Sequence, residues 1–105
     1  MLQRGSLGAS GAPLVGEEFR ELARIRNVVI EEIISSALPD SFEYRQPHDE
    51  WVVVLDGAAT LDVDGAEVTL TAGEWVLIRA RTPHHVVETQ AGTRWLAVHV
   101  HPPAV

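Results

Sequence analysis

The chain contains no cysteine. That removes disulfides, thiolate metal ligands and a cysteine nucleophile together. Any bound metal must sit among imidazoles, carboxylates and amides, a donor set suited to iron, manganese, nickel, cobalt, copper or zinc. Positive charge is also scarce: 8 Lys and Arg residues face 15 Asp and Glu, for a formal net charge of −7. Such a field repels phosphate backbones and anionic lipid surfaces, so neither nucleic acid nor membrane is an expected partner. No apolar run approaches the roughly 20 residues that span a bilayer. The opening "MLQRGSLGASGAPLVG" lacks the apolar core of about 7–15 residues that a signal peptide needs, so a cytoplasmic protein is expected. A G-x-S-x-G elbow, a glycine-rich phosphate loop and an H-E-x-x-H helix are all missing. A small-molecule role remains.

What is present is one domain's worth of sequence, 105 residues of which 46% are hydrophobic. Residues 1–16 hold four of the eight glycines and read as a flexible N-terminal arm ahead of a single domain over 17–105. "EEFRELARIRN" places Phe19, Leu22 and Ala23 on one helical face, which predicts a short helix. Short strands follow, broken by turn chemistry. "NVVIEEIISS" is β-branched, and "EWVVVL" ends at Asp56-Gly57. Leu61 and Val63 alternate with aspartates up to Asp64-Gly65, a pair suited to a type I′ hairpin turn. "WVLI", "HHVVET" and "TRWLAVHV" complete roughly eight strands, the pattern of an all-β sandwich or barrel.

Polar side chains collect at three places. Tyr44, Gln46, His48 and Glu50 share one parity just before the apolar run that opens at Trp51, so an extended segment aims them together. His84 and His85 are neighbours, of which one faces inward, and His99 and His101 share a face of the last strand. Glu31 and Glu32 are adjacent on a strand and must point to opposite sides.

From Phe42 to Val100 the chain resembles the cupins, small barrels marked by two sequence motifs. "EWVVVLDG" matches the E-x6-G half of the first motif at Glu50 and Gly57. "GEWVLIRARTPH" places Gly73 and His84 at the glycine and histidine of the second. Elsewhere the pattern departs. The first motif's two histidines fall on Tyr44 and Gln46, or with the longer spacing on Glu43 and Arg45. The second motif's proline, inner glycine and asparagine fall on Arg79, Arg81 and Glu88.

The resemblance implies a cupin-type double-stranded β-helix (jelly roll) and a divalent transition metal on three histidines and a glutamate. Of that set it carries over only Glu50 and His84. His48, two residues before Glu50, is the candidate for a missing imidazole, with Gln46 or His99 to complete the shell. Tyr44, His99 and Arg79 are candidate pocket residues, Arg79 and Arg81 as a clamp for a substrate carboxylate. The resemblance further implies a homodimer and a small organic acid or related metabolite in the pocket. Dioxygenase, isomerase and cyclase chemistry stand open beside a non-catalytic module that binds or senses its ligand with or without metal.

Overall fold

The computed structural model describes residues 1–8, 11–40 and 42–103. Ala9, Ser10, Ser41, Ala104 and Val105, which fall within the expected arm and barrel, lie outside the described residues. Eight strands form among the described residues: β1 (Glu17–Ile25), β2 (Val28–Ser35), β3 (Asp49–Asp56), β4 (Ala58–Val63), β5 (Ala66–Thr71), β6 (Trp75–Ile78), β7 (His84–Thr89) and β8 (Thr93–Val100). They make two antiparallel sheets, ordered β1-β2-β8-β3-β6 and β5-β4-β7. Among the described residues no helix is long and apolar enough to cross a membrane.

The helix expected over 17–27 is instead β1. It pairs antiparallel with β2 from Glu17↔Ser35 to Ile25↔Val28, with a bulge between Glu21 and Ala23. The reason is competition for backbone partners. An isolated helix of this length is marginal in water, whereas β2 offers a full ladder of unpaired groups. The bulge also shifts the side-chain alternation by one, which is why a helical spacing of apolar residues sits on a strand.

Strict alternation along β3 explains the apolar run from Trp51. Glu50, Val52 and Val54 are buried, while Trp51 and Val53 are half-buried and Leu55 is exposed. Val52 and Val54 join Ile33, Leu61, Leu70, Trp95 and Ala97 in the core between the sheets. The β4–β5 hairpin turns at Asp64 (φ 52°) and Gly65 (φ 84°), both left-handed as a type I′ turn requires. A single bridge, Tyr44 N to His84 O at 2.8 Å and His84 N to Tyr44 O at 3.0 Å, ties the segment before β3 to the start of β7. The two sequence motifs thereby meet across the gap between the sheets.

The N-terminal residues bear on the outer face of β1 and β2. Glu32, only 1% exposed, accepts hydrogen bonds from Gly8 N (2.8 Å), Arg20 Nη2 (2.7 Å) and Arg94 Nη1 (2.8 Å). Arg20 also donates to Ser6 O at 2.8 Å. Burial alone would raise the Glu32 carboxyl, but these donors outweigh it and hold it below the usual carboxylate range. Glu32→Ala is expected to destabilise the fold by about 2 kcal/mol at pH 7 in urea denaturation. That lies below the figure for a fully buried pair because Arg20 reaches solvent. A depressed carboxyl stabilises above its unfolded value and loses the effect as pH falls through the folded one. The gap between wild type and variant should therefore shrink in acid.

Candidate functional site

A cavity of about 80 Å³ opens between the sheets, enough to hold more than one water molecule. Apolar walls come from Ile33 on β2, Val52 on β3, Leu61 on β4, Ile78 on β6 and Trp95 on β8. Its polar lining is Glu17, Glu31, Tyr44, Gln46, Glu50, His84, His85 and His99. Among the described residues no arginine borders it, and the chain has no lysine.

Glu50 stands at the centre of this polar set. It is the first inward residue of β3, flanked in register by Ile78 on β6 and His99 on β8. At 7% exposure its carboxyl is raised, chiefly by burial, with the charge of Glu31 adding to it. His99, His84 and a Gln46 hydrogen bond pull the other way without cancelling the effect.

His84, equally buried, is oriented from behind. Its Nδ1 lies 2.9 Å from Thr82 O, and a carbonyl only accepts, so Nδ1 carries the hydrogen. In the neutral ring Nε2 then carries the lone pair, and it lies 3.8 Å from Glu50 Oε1, too far for a hydrogen bond. Gln46 is held by its carbonyl, which accepts from Arg81 N at 2.6 Å. Its side-chain Oε1 is buried and has no partner among the described residues. His84, Glu50 and Gln46 thus line one cavity. The Gln46 amide gives the carboxylate one hydrogen bond, too few for three acceptors.

A second polar group faces them. His99 Nε2 lies 3.0 Å from Glu31 Oε1, and its Nδ1 lies 2.9 Å from His48 Nε2. Burial pulls His99 down, but the Glu31 hydrogen bond and the charges of Glu50 and Glu31 outweigh it and raise the imidazole overall. Tyr44 lies nearly parallel to the His84 ring, centroids 5.7 Å apart. Burial and the surrounding carboxylates push its hydroxyl up to about 12, so it stays a donor. Glu17 is raised by burial despite the bond from Ser35 Oγ at 2.5 Å.

Of the residues expected at the site, the structure brings together Tyr44, Gln46, Glu50, His84 and His99. His48 is not among the lining side chains. It sits outside His99, with its ring centroid 4.2 Å from that of His101, and burial and the two neighbouring histidines hold it down. Among the described residues no three of His, Cys, Asp and Glu are placed to hold a metal ion together. Arg79 is also outside, its side chain 74% exposed and 3.7 Å from Asp49. His85, expected to face away, borders the cavity. Glu31 and Glu17 were not foreseen as lining residues. Alternation from the buried Ile33 would have found Glu31, whereas Glu17 was hidden by the helical reading of β1.

The family model described as "Cupin domain" matches residues 37–100, more than half of the chain. The chain belongs to the cupin family. Among solved structures, this cupin is 37% identical to a Ralstonia eutropha protein provisionally named a mannose-6-phosphate isomerase. That match covers 96% of this chain and all of the other, with a TM-score of 0.79. Two more distant structures show the fold alone. One is KdgF from a Halomonas species (15% identity, 83% and 80% of the chains covered, TM-score 0.76). The other is an RmlC-like cupin from Shewanella frigidimarina (17%, 90% and 81%, 0.74). No curated protein matches the sequence.

Proposed function

We propose that this cupin binds a divalent transition metal ion on Glu50, His84 and Gln46 and handles a small, polar, uncharged metabolite in the cavity beside it. The reading rests on one observation: His84, with Nε2 3.8 Å from the Glu50 carboxylate, and Gln46, whose buried Oε1 has no partner among the described residues, line the same cavity as Glu50. Buried acceptors in that arrangement repel one another unless a cation lies among them. The backbone carbonyl behind His84 is the partner by which metal-ligating imidazoles are commonly oriented. His48 stands behind His99 in this reading, as its outer hydrogen-bond partner rather than a ligand.

When bound, a divalent ion supplies Lewis acidity toward an oxygen of the metabolite. The chain's own groups do the rest. Tyr44 donates a hydrogen bond from a hydroxyl that stays protonated, and the Glu31–His99 pair holds a proton at Nε2 on the cavity wall. Ile33, Val52 and Trp95 exclude water. With three carboxylates and, among the described residues, no arginine on the wall, the lining disfavours an anion, and this argues against the organic acid that the resemblance suggested.

Elemental analysis of protein prepared without a histidine tag tests the assignment. About one equivalent of metal is expected, falling below about a tenth in His84→Ala while far-UV circular dichroism is unchanged. Metal-free wild type that stays empty in the presence of added divalent ions would overturn it.

A further inference from the structure

Two of the three groups assigned to the metal hang from one turn, and the third adjoins it. Residues 79–82 lead from β6 toward β7 and are closed by a hydrogen bond from Thr82 N to Arg79 O at 3.2 Å. Arg81 N donates to Gln46 O at 2.6 Å, and Thr82 O accepts from His84 Nδ1 at 2.9 Å. Ala80 N donates to Asp49 Oδ1 at 2.8 Å, and Asp49 immediately precedes Glu50.

The turn is strained. Arg81 has φ 67° at the third position, where a type II turn calls for glycine. A residue with a Cβ stays left-handed only where its surroundings over-determine it. The ends of the turn are fixed: Ile78 pairs with Glu50, and Pro83, whose O accepts from Asp64 N at 2.8 Å, restricts Thr82 to extended backbone. Among the described residues the centre is held by Arg81 N on Gln46 and by Asp49 on Ala80 N. The β3–β6 ladder stops at Glu50 and Ile78, so the Asp49 side chain takes over where backbone pairing ends. Its other oxygen lies 3.7 Å from Arg79 Nη1 on a side chain 74% exposed, a pair worth little in water. Asp49 does not line the cavity.

We infer that Asp49 is the positioning residue of this site: by capping the strained turn through Ala80 N, it keeps Gln46 and His84 in place beside Glu50. For its effect on affinity the inference rests on the reading of Glu50, His84 and Gln46 as metal ligands; for its effect on the turn it rests on the hydrogen bonds alone. Without the cap, relaxation of Arg81 to negative φ withdraws the donor from Gln46 and the acceptor from His84. Metal binding must then re-form the turn, so apparent affinity falls with the fraction of molecules that keep it. Outer partners of metal ligands commonly carry about 10- to 100-fold in affinity.

Calorimetric titration of chelator-treated, full-length protein with zinc tests this. Asp49→Ala should bind about tenfold or more weakly than wild type, with far-UV circular dichroism unchanged. Asp49→Asn keeps an acceptor for Ala80 N and drops the charge, so it should stay within about threefold of wild type. A purely electrostatic role would weaken both variants alike. Adding Arg81→Gly to Asp49→Ala removes the left-handed strain and should return affinity to within about threefold of wild type. In the metal-free proteins, amide hydrogen exchange at Arg81 should quicken about tenfold or more in Asp49→Ala but not in Asp49→Asn, with the amides of β4 and β5 unchanged. Wild-type affinity in Asp49→Ala, an Asp49→Asn as weak as Asp49→Ala, or no gain from Arg81→Gly would overturn the inference. Wild type that takes up no zinc would overturn the metal reading instead. Exchange at Arg81 then decides on the turn: quickening in Asp49→Ala supports the positioning role, and unchanged exchange overturns it.

Discussion

If the proposed metal site is right, replacing Glu50 by glutamine is expected to abolish metal binding, and it should make the metal-free fold more stable. The two effects have one cause. Burial raises the Glu50 carboxyl, so the metal-free protein carries a carboxylate in a place that disfavours charge, beside Glu31 and within the influence of Glu17. A bound cation turns the same charge into an asset. The substituted amide keeps the shape, removes the charge and offers only a neutral oxygen. Metal affinity should fall about 100-fold or more, while chelator-treated variant should gain about 1 kcal/mol over chelator-treated wild type at pH 7.

The sign with pH follows from linkage. A carboxyl raised on folding stabilises fully below its unfolded value, near 4.5, and that stabilisation is lost as pH rises through the folded one. Glu17 is shifted in the same direction. Metal-free wild type should therefore lose stability as pH climbs from about 4.5 toward neutrality, and Glu50→Gln should lose less. Urea midpoints of both proteins across that range, with and without chelator, check the claim. Equal metal content in the two proteins would remove Glu50 from the ligand set.

Gly57→Ala is expected to be the most damaging conservative change outside the cavity, by roughly 3–5 kcal/mol. Gly57 joins β3 to β4 at φ 94°, a conformation L side chains rarely adopt. A Cβ there would lie 2.5 Å from Thr93 Oγ1 and 2.9 Å from Thr93 Cα. Thr93 cannot give way. It is fully buried on β8, and its hydroxyl reaches Gln90 O at 2.7 Å and Ala58 O at 3.1 Å. Gly65, also at positive φ but with nothing near its absent Cβ, supplies the control. Gly65→Ala should cost only the backbone term, about 1–2 kcal/mol. Equal losses at the two positions, measured by urea denaturation, would show that the contact with Thr93 does not matter.

The β3, β4, β5, β6 and β8 strands were legible because period-two patterning decides which side chains are buried, whatever the partner strand is. The motif glycine at 57 was legible for a related reason: its backbone demand is local. β1 was not. "EEFRELARI" carries helix-compatible spacing, and only the empty edge of β2 made it a strand. The cavity was legible in part. Alternation aimed Tyr44, Gln46 and Glu50 the same way, and the structure lines one cavity with all three. It did not hold at His48, because Pro47 and the short turn before β3 break the extended run. His48 leaves the parity of its neighbours and meets His99 instead.

What the sequence alone determined was the strand pattern, the absence of thiolate chemistry and the family, since each depends on residue type and near-neighbour spacing. Which polar groups share the cavity was decided only by the tertiary structure. His84 reaches Glu50, and Glu31 reaches His99, across gaps of 34 and 68 residues that only the closing of the two sheets brings together. The same closing left Arg79 outside with Asp49. Spacing along a chain fixes direction within one strand; it carries no information on which strands will be neighbours.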